Sequence, residues 1–169
     1  STVWNHQWRA HGSQPGYDVK QSSQFLISKS TDDGLTWSEP RNITRQVKKE
    51  KWWLLAPGPG RGITMEDGTL VFPVEGRNED GLQFSTIMWS KDKGENWTVG
   101  EPAYYNTNEC QVVELSDHSL MLNMRERSNR GRQEGNGRAI AVTADLGKTW
   151  TEHPTSRRAL IEPACQASL

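Results

Sequence analysis

Two runs rich in apolar residues, Cys110 to Leu115 and Ser119 to Met124, flank the polar residues Ser116, Asp117 and His118. Short apolar runs on either side of a polar turn predict a β-hairpin. If Leu115 pairs with Ser119 across that turn, each step outward keeps the sum of paired numbers constant, and Glu109 falls opposite Arg125 at the open end. A carboxylate and a guanidinium are then cross-strand neighbours, roughly 5 Å apart at Cβ. One reading is a sheet-edge salt bridge, which stabilises by only about 0–1 kcal/mol when exposed. The other is a pair that faces a cavity and serves an anionic substrate. The hairpin alone does not choose between them.

A polar pattern recurs around this hairpin. Ser30-Thr31-Asp32-Asp33-Gly34-Leu35-Thr36-Trp37 returns at Ser90 to Trp97 and again at Thr143 to Trp150, with Ser/Thr-x-Asp-x-Gly-x-Thr/Asn-Trp in common. Each copy follows a strand-like run: Phe25 to Ser28, Thr86 to Trp89, and Ala139 to Val142. Each is therefore a hairpin turn. Its Asp accepts hydrogen bonds from backbone N–H groups ahead of it, its Gly takes a positive φ, and its Trp folds back to cover the turn. That makes Asp32, Gly34, Trp37, Asp92, Gly94, Trp97, Asp145, Gly147 and Trp150 structural residues. A calcium-loop reading is weak, because one Asp per turn cannot supply six to eight oxygens.

The stretch ahead of the turn repeats as well, since Gly60 to Pro73 aligns with the opening hairpin fifty positions later. One unit is then a hairpin, a third strand, the Asp turn and a fourth strand, at a period of about fifty to sixty residues. Four strands at that period are the signature of a β-propeller blade. The expected architecture is all-β: a partial propeller with part of a blade over 1–45, complete blades over 58–103 and 108–155, and the start of another over 160–169. Two complete blades cannot close a ring. The chain opens on Ser1 and stops within a strand-like run, so it reads as a piece of a longer protein.

Composition narrows the function. A length of 169 residues suffices for a real core, and a net charge of −1 gives no reason to expect nucleic acid as a partner. Hydrophobic residues make up only 33%, yet eight Trp and fifteen Gly argue for short strands and turns rather than disorder. No apolar run approaches the roughly 20 residues of a membrane helix. Cys110 and Cys165 read as buried free thiols, and no Cys/His spacing suggests a metal.

The three turns resemble the Asp boxes of sialidases, a family of six-bladed propellers. More specific are His11-Gly12-Ser13-Gln14-Pro15-Gly16, the run Ser30 to Thr44, Gly58 to Ile63, Asn108-Glu109-Cys110-Gln111 and Leu122-Asn123-Met124-Arg125. With these segments the whole chain is similar to bacterial exo-α-sialidases. The resemblance implies a substrate that ends in sialic acid, whose own carboxylate is held by three Arg residues through a planar, bidentate fit. A carboxylate nucleophile is repelled by that anion, and the family uses a Tyr instead, with a Glu that takes the phenolic proton and an Asp as general acid.

By this resemblance Glu109 matches the Glu that activates the Tyr, and Arg125 matches the second Arg of the triad. The first Arg and the acid Asp belong upstream of Ser1, and the third Arg and the Tyr downstream of Leu169. None of Tyr17, Tyr104 or Tyr105 fits the nucleophile's context, so the expected fragment is inactive alone. The partners implied are sialylated glycans and the remaining blades, with no cofactor and no metal; the location implied is secreted, periplasmic or at the cell surface. The competing class is a non-catalytic Asp-box propeller that binds glycans or serves as a receptor module.

Lesser candidates complete the picture. His11 and Gln14 lie on a Gly/Pro-rich loop that either rims the pocket or is plain surface. The stretch Pro57-Gly58-Pro59-Gly60-Arg61-Gly62 holds, in its own blade, the axial position of Asn108-Glu109 in the next; it forms a pocket wall, with Pro59, Gly60 and Arg61 as lining, or packs round the axis. Trp52-Trp53, in the connection before that stretch, reads as packing between blades or as an apolar side-wall of the pocket. Arg127, Arg130, Arg132 and Arg138 read as a solvated basic loop, some of whose charge steers anionic glycans.

Overall fold

Antiparallel pairing dominates the computed structural model, which describes residues 12–127, 136–162 and 164–166. A two-stranded sheet joins β1 (Leu26–Ile27) to β2 (Arg41–Asn42), and one helical turn, α1 (Thr44–Val47), follows. The central sheet is built on β5 (Leu70–Arg77) and β6 (Gln83–Ser90). Both β3 (Leu54–Pro57) and β4 (Ile63–Thr64) pair with β5, while both β7 (Thr98–Val99) and β8 (Tyr104–Tyr105) pair with β6. Interrupted strands thus flank two long ones. The third sheet has the order β9 (Thr107–Glu114), β10 (Leu120–Glu126), β11 (Ala139–Thr143), β12 (Thr151–Glu152). The fold is all-β, as the patterning indicates.

Two strands lie outside the expected blade bounds, β8 between the complete blades and β3 ahead of the first. β3 begins at Leu54, inside what reads as a connection, and pairs Leu54 with Arg77 and Pro57 with Val74. Pro57 is tolerated at its end because the next ladder bond comes from Gly58, whose N–H donates to the Pro73 carbonyl at 2.9 Å, while Pro73 has no N–H to return one.

Alternation on the central sheet explains how the three sheets stack. Val71 and Ile87 face the third sheet, where they join Cys110, Val112, Leu120, Leu122, Met124, Ala139 and Ala141. Val74, Phe84 and Met88 face the other way and pack on Phe25, Ile43, Val47, Trp52 and Trp97. Residues an odd number apart point to opposite faces of a strand, so the central sheet is apolar on both. Trp52 is 2% exposed, with its ring 4.6 Å from that of Phe84. Of the two readings of the Trp pair, packing describes Trp52.

The Asp turns share one wiring. Ser30, Ser90 and Thr143 each donate a hydroxyl to the turn Asp at 2.8 Å and accept the Gly N–H at 2.8, 2.9 and 2.9 Å. Each Asp then accepts the backbone N–H four residues on, at 2.9, 2.8 and 2.9 Å, from Thr36, Asn96 and Thr149. The chain reverses through two positive-φ residues, at 57° and 87° for Asp33-Gly34, 59° and 88° for Lys93-Gly94, and 58° and 80° for Leu146-Gly147. The Trp indoles differ in their targets. Trp37 and Trp97 return to their own turns, at Gly34 and Gly94, whereas Trp150 donates to Glu101 of the preceding repeat. The third Trp therefore ties two sheets together.

The same hydrogen bonds hold the carboxyls of Asp92 and Asp145 down at about 2, the backbone N–H groups of Asn96 and Thr149 being the largest cause. Because the folded value lies below the unfolded one near 3.8, the stabilisation is complete above about pH 4 and disappears as pH falls through about 2. Urea unfolding at pH 6 should show Asp92→Asn less stable than the parent, with the gap closing between pH 4 and pH 2. A gap that persists unchanged at pH 2 contradicts the turn's role.

Candidate active site

The hairpin of β9 and β10 follows the expected register only part of the way. Leu115 N–H donates to the Ser119 carbonyl at 2.8 Å, and the pairs run inward from Glu114 and Leu120 to Gln111 and Asn123. Beyond them Arg125 pairs with Asn108 rather than Glu109. Glu109 and Cys110 together stand opposite Met124, which is a β-bulge. Glu109 takes a φ of +44° to make it, a conformation rare for a side chain of its size.

The bulge does not separate the two charged groups. Arg125 Nη1 lies 2.6 Å from Glu109 Oε1, with the side chains 18% and 27% exposed. Both remain open to a ligand. Cys110, next in the chain, is fully buried, and burial pushes its thiol up to about 12. It fills space and is not reactive.

Two buried charged side chains hold the bulge from behind. Glu75 Oε2 accepts the Glu109 N–H at 2.5 Å, across 34 residues of sequence. On the other side Arg138 Nη2 approaches the Glu109 carbonyl at 3.4 Å. Arg138 is anchored in turn by a buried ion pair with Glu162 at 3.2 Å, by the Cys165 carbonyl at 2.9 Å and by Asn123 Oδ1. Burial raises the Glu75 carboxyl to about 7; the Glu109 charge pushes the same way, while the Glu109 N–H and Arg125 oppose the rise. At neutral pH Glu75 is thus divided between acid and carboxylate.

Sequence reading misses both residues. The signal for Glu75 lies in the repeat: Leu70-Val71-Phe72-Pro73-Val74-Glu75-Gly76-Arg77 matches Leu120-Met121-Leu122-Asn123-Met124-Arg125-Glu126-Arg127, so Glu75 holds the position of Arg125 one unit earlier. Arg138 is misread as part of a solvated basic loop; it is 2% exposed. Arg130 and Arg132 lie outside the described residues, as does His11. Cys165, expected to be buried, is exposed.

The remaining candidates gather elsewhere. The Gln14 backbone N–H donates to Gln21, and its neighbours Ser13, Gly16 and Tyr17 bond to Trp53, Glu50 and Lys48, so this loop lies on the connection into β3. Pro59 accepts from the Gln111 amide, whose side chain fills the space beside Gly60, and Arg61 is exposed. Pro57, the first residue of the Pro57–Gly62 stretch, stands level with the Glu109 bulge, since it pairs with Val74, the counterpart of Met124. Among the described residues no group of His, Cys, Asp and Glu could hold a metal ion, and no helix is long and apolar enough to cross a membrane.

Comparison with known proteins gives the family. The model of the BNR repeat-like domain matches residues 4–168. The chain belongs to that family. Within it, the chain is 52% identical to a sialidase of Bacteroides fragilis over 162 residues, which is 96% of this chain and 28% of the relative. It is 36% identical to the sialidase of Clostridium perfringens over 156 residues, covering 85% and 38%. A solved Hadza microbial sialidase superposes with a TM-score of 0.86 at 47% identity, over 94% of this chain and 30% of that one. A Trypanosoma rangeli sialidase solved in complex with sialic acid gives 0.59 at 26% identity, over 77% and 21%. The chain thus spans between 21% and 38% of the length of these sialidases.

The Glu75 geometry has a pH signature. A carboxyl raised from 4.5 to about 7 by folding binds its proton more tightly in the native state, so stability falls as pH rises across that window, by about 1–3 kcal/mol. Glu75→Gln keeps an acceptor for the Glu109 N–H and removes the titration. Urea midpoints between pH 5 and pH 8 should decline more steeply for the parent than for Glu75→Gln. Parallel declines contradict the placement of Glu75.

Proposed function

We propose that the chain is the central part of a retaining exo-α-sialidase, a run of propeller blades whose shared face carries Glu109 and Arg125 toward a terminal sialic acid. The observation that carries this reading is the Glu109–Arg125 pair: 2.6 Å apart, half-buried and open to solvent at one end of two stacked sheets. A salt bridge with a purely structural purpose does not call for a strained backbone at one partner. A site that must aim a carboxylate and a guanidinium at one small ligand does.

In this reading Arg125 uses the edge of its guanidinium left free by Glu109 to hold the sugar carboxylate. Glu109 accepts the proton of a Tyr supplied by another part of the intact protein. The phenolate attacks the anomeric carbon while an acid protonates the departing aglycone oxygen; water then displaces the Tyr and restores the starting stereochemistry. Glu75 in its protonated form leaves the Glu109–Arg125 pair without an added negative charge behind it, which favours an anionic substrate. The reading extends to the blade boundaries at 1–45, 58–103, 108–155 and 160–169, the first complete blade gaining β3 at its start, and to a protein that works outside the cytoplasm, where sialylated glycans are found. Tyr17, Tyr104 and Tyr105 engage Lys48, Arg157 and Phe84, and none serves as nucleophile, so the chain alone turns nothing over.

In the intact protein that carries this chain, Glu109→Gln should lower kcat on an aryl sialoside by about 10²–10⁴-fold and leave the affinity for sialic acid within about threefold. Arg125→Lys should weaken that affinity about tenfold or more, because the ammonium cannot make the bidentate contact. Unchanged turnover in Glu109→Gln overturns its role as base. Cleavage of the sialoside by the purified 169-residue chain overturns the need for further residues.

A further inference from the structure

Arg77 ends β5 and Arg127 follows β10, each two residues beyond the position that carries Glu75 in one strand and Arg125 in the other. Two residues along a strand return to the same face, roughly 6–7 Å further on. Arg77 shares with Glu75 the β5 face that carries Val71 toward the third sheet, and Arg127, just past the end of β10, reaches back to that face through Gln83 of β6. They line one pocket there with Gly81, Leu82, Gln83 and Asn106.

The pocket has a charge imbalance. Among the described residues no carboxylate lines it. Arg127 Nη1 donates to Gln83 Oε1 at 2.7 Å, a neutral acceptor, and among the described residues no carboxylate forms an ion pair with it. Arg77 Nε is buried and has no hydrogen-bond partner among the described residues. Burial, and after it the like charge of Arg127, weakens the hold of Arg77 on its proton. Two guanidiniums turned toward one space, one with an unused buried donor, are repelled by each other and satisfied together by an oxyanion.

We propose that Arg77 and Arg127 form a second oxyanion site, which receives a carboxylate or sulfate on the sugar next to the one bound at Arg125. The site itself rests on the residues above; the identity of its occupant rests on the sialidase reading. Arg127 follows Arg125 by two residues, a length of chain that spans at most roughly 7 Å, which is of the order of one pyranose step. The site selects glycans that carry two anionic groups in succession over those with one.

Two measurements test this. Inorganic sulfate titrated into the intact protein with ¹⁵N-labelled arginine should shift the Arg77 Nε–H resonance saturably, and Arg127→Gln, an exposed and structurally safe change, should weaken that response about tenfold. Separately, kcat/KM should be at least fivefold higher for a disialyl or a sulfated sialyl lactose than for plain sialyllactose. Arg127→Gln should erase this preference and leave the plain substrate within twofold, and Arg77→Lys, which keeps the charge but loses the Nε–H, should reduce it. No saturable shift at Arg77 overturns the site. A shift without any preference among cleaved substrates overturns the occupant. Failure to cleave any of the three defeats the sialidase reading and leaves the oxyanion site to be decided by the sulfate titration.

Discussion

The peptide groups on either side of Glu109 are held by charged side chains from two different strands, and the rest of the site depends on that clamp. Glu75 takes the N–H and Arg138 reaches the carbonyl. A left-handed backbone at a glutamate costs of order 1–3 kcal/mol, and it persists because its neighbours fix it from both sides. Removing Glu75 strips the Glu109 N–H of its acceptor, and removing Arg138 leaves the buried Glu162 carboxylate without its ion pair, the expensive direction for a buried charge.

This clamp requires the sheets to be stacked in sequence order. Glu75 comes from the central sheet, Glu109 and Arg125 from the third, and Glu162, which anchors Arg138, from the segment that follows it. The two-faced apolar character of the central sheet provides the stacking, and the indole of Trp150 ties the sheets at the Asp-turn end. Charged groups at one end of the stack and hydrogen-bonded turns at the other divide the labour between chemistry and support.

What the sequence discloses is whatever is decided locally. The three Asp turns need only residues within one turn, and all three form the same hydrogen bonds. The hairpin turn at Ser116 to His118 and the pairing down to Gln111 and Asn123 follow from alternation and the turn itself. The bulge escapes, because what stabilises Glu109 at positive φ lies 34 residues before it and 29 after it. Strand β3 escapes for a related reason: four residues ending in Pro carry almost no pattern of their own, and pairing with β5 makes them a strand. Arg138 reads as solvated for want of any local sign that Glu162 is folded over it. Long-range electrostatics, not periodicity, separates the predicted site from the observed one.

A crystal structure of the intact protein with sialic acid bound tests the account most directly. It should show the sugar carboxylate on the Arg125 guanidinium, Glu109 still at positive φ with its N–H on Glu75, and the Glu109 carboxylate facing the anomeric side of the sugar. A sugar bound away from Arg125, or a β9–β10 ladder that runs without a bulge and sets Glu109 directly opposite Arg125, contradicts it.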